Sequence, residues 1–435
     1  MNWFKLSLQL NQFPINRAQK LLEKIRDIPE GYYEEYLESK KFEILEFHLK
    51  NNSFYREFCK TDKFEKWEEV PVLQKPELQQ KLKQRLSKSF KKHKIYVGKT
   101  SGSSGEPFIF AKDRFCHALS WAGFQDRYQW HGIDLNKSLQ ARFYGIPLDI
   151  YGNLQERFKD RISLRRRFNI FDLSDRKMED FLDRFQKSNF DYLNGYTSAI
   201  LLFAKFLDSK GIQLKTVCPT LKLCIVTSER LFEEDRQLIE KAMGVPVVNE
   251  YGASEVGLIA FEDKEKNWIV NSEDLYVEIL DENNKPVPNG QEGRVVITSL
   301  YNLAHPMIRY DIGDIGILSE KSTLKTPILE SLIGRTNDVA RLANGKLVPG
   351  LTFYYVTKTI IEDNGNIKEF VVTQTATDVF KIDYVSEKAF TENQIEKILI
   401  AIEKYVGKDL KVLFERKEVL DRDKSGKLKQ FISRL

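Results

Sequence analysis

From Arg17 to Arg85 apolar residues return every three or four positions, with Leu21, Leu22 and Ile25 and then Phe42, Leu45 and Leu49 set among charges. That period predicts amphipathic helices, which Pro71 and Pro76 break into segments. Past Tyr96 the period changes. Short apolar runs at 138–144, 190–193, 221–226 and 245–249 read as strands, and between several of them lie amphipathic helices at 177–186, 198–207 and 233–242. Such alternation predicts α/β layers over a buried, partly parallel sheet. From Trp268 the strands crowd together, at 275–280 and 294–299, across a turn-rich stretch at 283–290, which predicts hairpins or a barrel. After Gly334 a helix at 351–361, strands at 368–373 and 379–384, a helix at 392–405 and a strand at 410–414 make a compact α+β unit.

A chain of 435 residues predicts two domains rather than one. The expected division is a large domain at 1–334, helical at about 1–90, α/β at about 91–265 and barrel-like at about 266–334, followed by a small unit at 335–435. The fold class is thus α/β plus β-barrel, with a small α+β C-terminal domain. Charge adds little: 68 basic against 63 acidic side chains leave +5, so the balance implies no nucleic-acid partner. Cys59, Cys116, Cys218 and Cys224 show no C-x-x-C pair or zinc-ligand spacing and read as buried thiols of a reducing compartment. Lys5, Asn11, Pro14 and Arg17 interrupt any N-terminal signal core, and the most apolar run, 199–207, carries Lys205 and is too short to span a bilayer. A cytoplasmic protein without stable membrane insertion, monomeric or homodimeric, is the expectation.

The sharpest local signal is Thr100-Ser101-Gly102-Ser103-Ser104-Gly105-Glu106-Pro107. Glycines let backbone N–H groups approach an anion closely, and hydroxyls supply further donors to phosphate oxygens. A flexible linker has the same composition, but 95–97 before the run and 108–111 after it read as strands, and linkers are seldom clamped in this way. A Walker loop would need Lys-Ser/Thr after its last glycine and then a helix; here Glu106-Pro107 and a strand follow.

This setting resembles the loop with which the adenylate-forming superfamily holds the β- and γ-phosphates of ATP, and four further stretches fall in that family's order. Asn249-Glu250-Tyr251-Gly252-Ala253-Ser254-Glu255 resembles the motif Tyr-Gly-x-Ser/Thr-Glu. The resemblance puts Tyr251 by the nucleotide, Ser254 on the α-phosphate and Glu255 on Mg²⁺, with Ser228, Glu250 and Gly252 among the nucleotide-binding positions. Arg309-Tyr310-Asp311-Ile312-Gly313-Asp314 resembles the segment whose last aspartate accepts from both ribose hydroxyls, a task suited to two carboxylate oxygens. Gly334-Arg335-Thr336-Asn337-Asp338 resembles a Gly-Arg-x-Asp-Asp hinge, in which Arg335 reaches ribose and phosphate and Asn337 stands where an acid is usual. Asp423-Lys424-Ser425-Gly426-Lys427 resembles the Ser-Gly-Lys motif, which makes Lys427 the catalytic lysine bridging carboxylate and α-phosphate.

Within the superfamily the nearest resemblance is to the phenylacetate-CoA ligase branch and its relatives encoded with capsule and lipopolysaccharide synthesis genes. Asn52-Ser53-Phe54-Tyr55-Arg56, Glu69-Val70-Pro71-Val72-Leu73 with Lys75, and Asn194-Gly195-Tyr196-Thr197-Ser198, whose counterpart lies near the acyl pocket, carry it. The resemblance implies that ATP and Mg²⁺ activate a small carboxylic acid as an acyl-adenylate, and that CoA, or else an amine of an amino acid or glycan, accepts the acyl group. It also implies a mobile C-terminal lid. A nucleotide-binding protein without turnover is the rival, disfavoured by Lys427 and Glu255 together. Arg165-Arg166-Arg167 is left over, as either a solvated face or a partly buried anion clamp.

Overall fold

The computed structural model describes residues 3–90, 94–99, 108–144, 160–170, 173–335, 339–344, 347–349, 367–386, 388–421, 429 and 431–435. The N-terminal pattern forms the helices Trp3–Leu10, Ile15–Arg26, Glu30–Asn51 and Ser53–Cys59. Ile15, Ala18, Leu22 and Ile25 recur at three and four residues and are buried, and the first three of them share a core with Ala118, Leu119 and Ala122 of the helix Arg114–Gln129. Asn52 starts the fourth helix by accepting a hydrogen bond from the Tyr55 N–H at 3.0 Å.

The strands β1 (Ile95–Lys99) and β2 (Ile109–Asp113) pair antiparallel, as the flanks of the Ser/Gly run predicted. Next come β3 (Gln140–Phe143), β4 (Arg165–Phe168), β5 (Tyr192–Tyr196), β6 (Leu223–Thr227) and β7 (Val247–Ala253), all parallel, in the order β4-β3-β5-β6-β7. Because β3 lies between β4 and β5, the chain leaves it toward one side and later returns on the other. That reversal opens a crevice at the carboxyl ends of β3 and β5, the place where open α/β sheets bind ligands. The two strands approach closely: a Cβ on Gly195 would lie 2.5 Å from the Phe143 carbonyl oxygen, so only glycine fits there. One face of these strands is apolar, with Phe143 stacked on Phe168 at 4.8 Å and both set among Phe181, Phe185 and Phe203 of the helices Asp175–Gln186 and Thr197–Ser209.

The remaining strands of this sheet are β8 (Gly257–Glu262), β9 (Trp268–Val270), β10 (Leu275–Leu280), β11 (Glu292–Ser299), β12 (Tyr310–Leu318) and β13 (Ile328–Arg335). They were expected to form a barrel. Instead β8 hairpins back onto β7, and the order β7-β8-β9-β13-β12-β11-β10 continues the parallel strands into one eleven-stranded sheet, with no closed barrel among the described residues. The chain separates into two compact units, Met1–Ile312 with Ile317–Ser331, and Gly313–Gly316 with Leu332–Leu435. In the second, β14 (Val339–Arg341) pairs with β15 (Leu347–Pro349), and β16 (Ile367–Ala376), β17 (Val379–Ser386), β18 (Lys411–Lys417) and β19 (Phe431–Ser433) form a sheet in the order β18-β17-β16-β19. Its helix Glu392–Tyr405 starts at a capping box of Thr391 and Gln394. The helix expected at 351–361 lies outside the described residues. All four cysteines are buried, and no helix among the described residues is long and apolar enough to cross a membrane.

Candidate active site

The motif at 249–255 is built into the sheet rather than placed after it. Tyr251, Gly252 and Ala253 finish β7, Ser254 to Val256 form the turn, and β8 begins at Gly257. The turn closes by a hydrogen bond from the Val256 N–H to the Ala253 carbonyl at 3.2 Å. Gly257 has φ +104°, and a Cβ there would stand 3.3 Å from Lys112 Nζ and 3.2 Å from Ser120 Oγ. The hairpin therefore needs glycine at this point, and it leaves Ser254 exposed and Glu255 buried.

Glu255 Oε1 accepts from the Tyr310 hydroxyl at 3.3 Å, which ties the hairpin to the start of β12. Tyr251 lies beside Trp268, ring centroids 5.9 Å apart. On the neighbouring residue Glu250, Oε2 accepts from the Tyr128 hydroxyl at 2.7 Å, and its backbone oxygen accepts from Thr227 Oγ1 at 3.0 Å. Burial raises the Glu250 pKa, against the opposing pull of Tyr128, Thr227 and Arg142. Ser228 follows Thr227 at the end of β6 with φ +69°, a left-handed conformation uncommon for serine. Such strained positions cluster where backbone must meet a ligand.

Behind the hairpin lies a buried charged layer. Burial lowers the Lys112 pKa, while Cys116, Asp274 and Glu255 pull it back up. Burial raises Asp274 to about 7, and Asn271 Nδ2 donates to its Oδ1 at 2.5 Å. Arg127, from the helix Arg114–Gln129, donates to Glu273 Oε2 at 2.5 Å.

Among the described residues no group of three or more His, Cys, Asp or Glu side chains could hold a metal. Mg²⁺ does not need one: it keeps waters and phosphate oxygens and takes one or two carboxylates, so the single hard-oxygen donor Glu255 fits.

The structure thus gathers Ser228, Glu250, Tyr251, Gly252, Ser254 and Glu255 on adjoining strand ends. Asp314 is buried within β12, and Arg335 is the last residue of β13. Thr100, Ser101, Gly102, Ser103, Ser104 and Gly105, the segment Thr336 to Asp338, and Lys427 lie outside the described residues. Arg309, quoted in the ribose segment, is structural. It is fully buried at φ +44°, pairs with Glu278 at 3.2 Å and donates to the Val70 carbonyl at 2.7 Å. Tyr128 and Lys112 escaped the sequence reading, since Tyr128 is 122 residues from the glutamate it holds and no local motif marks it.

No family model matches the chain. Protein CapK of Staphylococcus aureus is 22% identical over 395 residues, covering 87% of this chain and 84% of that one. A phenylacetate-coenzyme A ligase of Pseudomonas putida is 30% identical over 158 residues, 35% of each chain. Among solved structures, a 2-hydroxyisobutyryl-CoA ligase in the postadenylation state in complex with R3-HIB-AMP matches with a TM-score of 0.71 at 16% identity, over 93% of this chain and 90% of that one. That likeness establishes the fold, and the curated relatives agree with it. The chain has the fold of the AMP-forming, adenylate-forming ligases and is similar in sequence to CapK over most of its length and to phenylacetate-coenzyme A ligases over about a third of it.

Proposed function

We propose that the protein activates a carboxylic acid with ATP as an acyl-adenylate and passes the acyl group to CoA. The observation that carries this reading is the β7–β8 hairpin, which sets Tyr251, Ser254 and Glu255 at the carboxyl end of the parallel sheet beside Ser228. The first step is an in-line displacement: a carboxylate oxygen bonds to the α-phosphorus as the bond to pyrophosphate breaks. Such transfers need positioning and charge stabilisation rather than a protein nucleophile. Ser254 would donate to an α-phosphate oxygen, and Glu255 would hold Mg²⁺, which would neutralise the leaving phosphates. The burial of Glu255 fixes its carboxylate in place before ATP arrives.

Thr100 to Gly105 would cradle the β- and γ-phosphates, Asp314 the ribose and Arg335 ribose and phosphate, while Lys427 bridges the reacting carboxylate and the α-phosphate. In the second step the acceptor attacks the acyl carbonyl and AMP departs. CoA as acceptor is supported by the names of the phenylacetate-coenzyme A ligase and the 2-hydroxyisobutyryl-CoA ligase, and a role in surface polysaccharide synthesis rests on the resemblance to relatives encoded with capsule synthesis genes.

The test is pyrophosphate exchange into ATP with a carboxylic acid and no acceptor. The wild type should exchange, and E255Q should lose about 100- to 1,000-fold in rate. Release of ADP and phosphate in place of AMP and pyrophosphate would overturn the reading.

A further inference from the structure

The arginine run at 165–167 folds as β4, and the alternation of a strand separates its three side chains. Arg166 is exposed and donates to Ser188 Oγ at 2.8 Å. Arg165 and Arg167 face the other way. Register pairs Gln140 with Arg165, Arg142 with both Arg167 and Asn194, and Gln140 with Tyr192, so these side chains share one face.

That face is short of acceptors. Arg167 Nε donates to Asp160 Oδ2 at 2.9 Å, whereas Arg165 Nε stands 3.4 Å from Asp160 Oδ1 without hydrogen-bond geometry. Arg142 makes no hydrogen bond or ion pair among the described residues; its guanidinium lies 4.2 Å from the Tyr144 ring centroid, and its Nε is buried without a partner. Asn194, 3% exposed, accepts from Gln140 Nε2 at 3.2 Å and leaves its own Nδ2 buried and unmatched. The other carboxylate near Arg142 is Glu250, whose Oε2 is already held by Tyr128.

All three unmatched atoms, Arg142 Nε, Arg165 Nε and Asn194 Nδ2, are donors. Buried donors are rarely left without acceptors, and beside guanidinium groups an anion is the acceptor that fits best. Among the described residues, three arginines, Arg142, Arg165 and Arg167, face two carboxylates, Asp160 and Glu250, an excess of one positive charge, enough for one carboxylate. Arg142 and Asn194 lie toward the carboxyl ends of β3 and β5, where Tyr144 and Tyr196 meet at 4.7 Å between ring centroids, and Arg165 stands on the same face of the neighbouring strand β4.

We infer that the acid taken by this site is a dicarboxylic acid: one carboxylate is the group activated, and the other is bound by Arg142 with Arg165 and Asn194. The inference rests on the adenylation reading and gives its substrate class. It is tested by pyrophosphate exchange with chain-matched acids, succinate against butyrate and glutarate against valerate. Each diacid should exceed its monoacid about 100-fold in kcat/KM. R142M should remove that advantage, R142K should keep part of it because the charge remains without the planar fork, and R166A should not change it. Monoacids used as well as diacids, or R142M indistinguishable from wild type in a folded protein, would overturn the inference and leave adenylation standing. Preference for 3-phosphonopropionate over both diacids would overturn the choice of a carboxylate. If no acid supports exchange, the adenylation reading fails, and calorimetry with succinate decides the anion subsite separately. Binding lost in R142M and kept in R166A supports it, and no binding by the wild type overturns it.

Discussion

On one face of the parallel strands Phe143, Phe168, Phe181, Phe185, Phe190 and Phe203 form a dry cluster without a polar partner to satisfy. On the other face, a few ångströms away through the same backbone, Arg142, Arg165, Asn194 and Glu250 stand among tyrosines with donors unmatched. The first face could stabilise any sheet of this shape, since apolar burial is non-directional. The second offers donors that a bound anion would satisfy. A strand that alternates between the two, such as β4, thus serves stability and recognition with successive residues.

The comparison breaks most visibly at Phe168, which is fully buried and stacked on Phe143 at 4.8 Å. F168A should destabilise the protein by about 3–5 kcal/mol in urea denaturation, whether or not a ligand is present. A loss below about 1 kcal/mol would mean that the dry face does not carry the fold.

Glu250 sharpens it from the polar side. Its folded pKa is raised by burial, against Tyr128, Thr227 and Arg142, so folding favours the protonated form. That contribution is complete below the ordinary glutamate pKa and is lost as pH rises through the raised one. E250Q cannot titrate, so its stability should gain on that of the wild type as pH rises through this window. Parallel curves of stability against pH would show that the carboxylate is not desolvated.

The smallest effect is expected at Asn194. N194L removes an unmatched buried donor while costing Gln140 its acceptor at 3.2 Å, so stability should stay within about 1 kcal/mol of wild type while acid-dependent exchange falls. Equal losses in both would assign Asn194 to the fold alone.

Much of this architecture was legible along the chain. The helix Glu392–Tyr405 was bounded correctly because Thr391 and Gln394 mark its start, and Leu275–Leu280 because its apolar run is bounded on both sides. β4 was not, since three consecutive arginines read as charge, and only the pairing with β3 shows that Arg166 and its neighbours face opposite ways. The end of β7 was missed for a similar reason: Tyr251-Gly252-Ala253 reads as a turn, and it is the ladder to β8 that extends the strand. In the candidate site, the residues consecutive in sequence were proposed from the motif they share with the superfamily, and the structure brings them onto adjoining strand ends. Tyr128, Arg142 and Tyr310 were not assigned to it, because their roles arise from contacts across the fold that leave no local pattern.

The single sheet also bears on edge-to-edge association between copies of the protein. Eleven strands in one ladder leave two edges, β4 and β10, and an open edge is a template on which another chain can add a strand and start a fibre. β4 is four residues long and three of them are arginines, so an approaching strand meets positive charge over a short edge. At β10 the chain folds over its own rim: Val287, between Pro286 and Pro288, donates to the Ile279 carbonyl at 2.9 Å, and the two prolines offer no N–H of their own for an incoming strand. The arginines that draw an anion into the crevice therefore also guard the sheet against joining its neighbours.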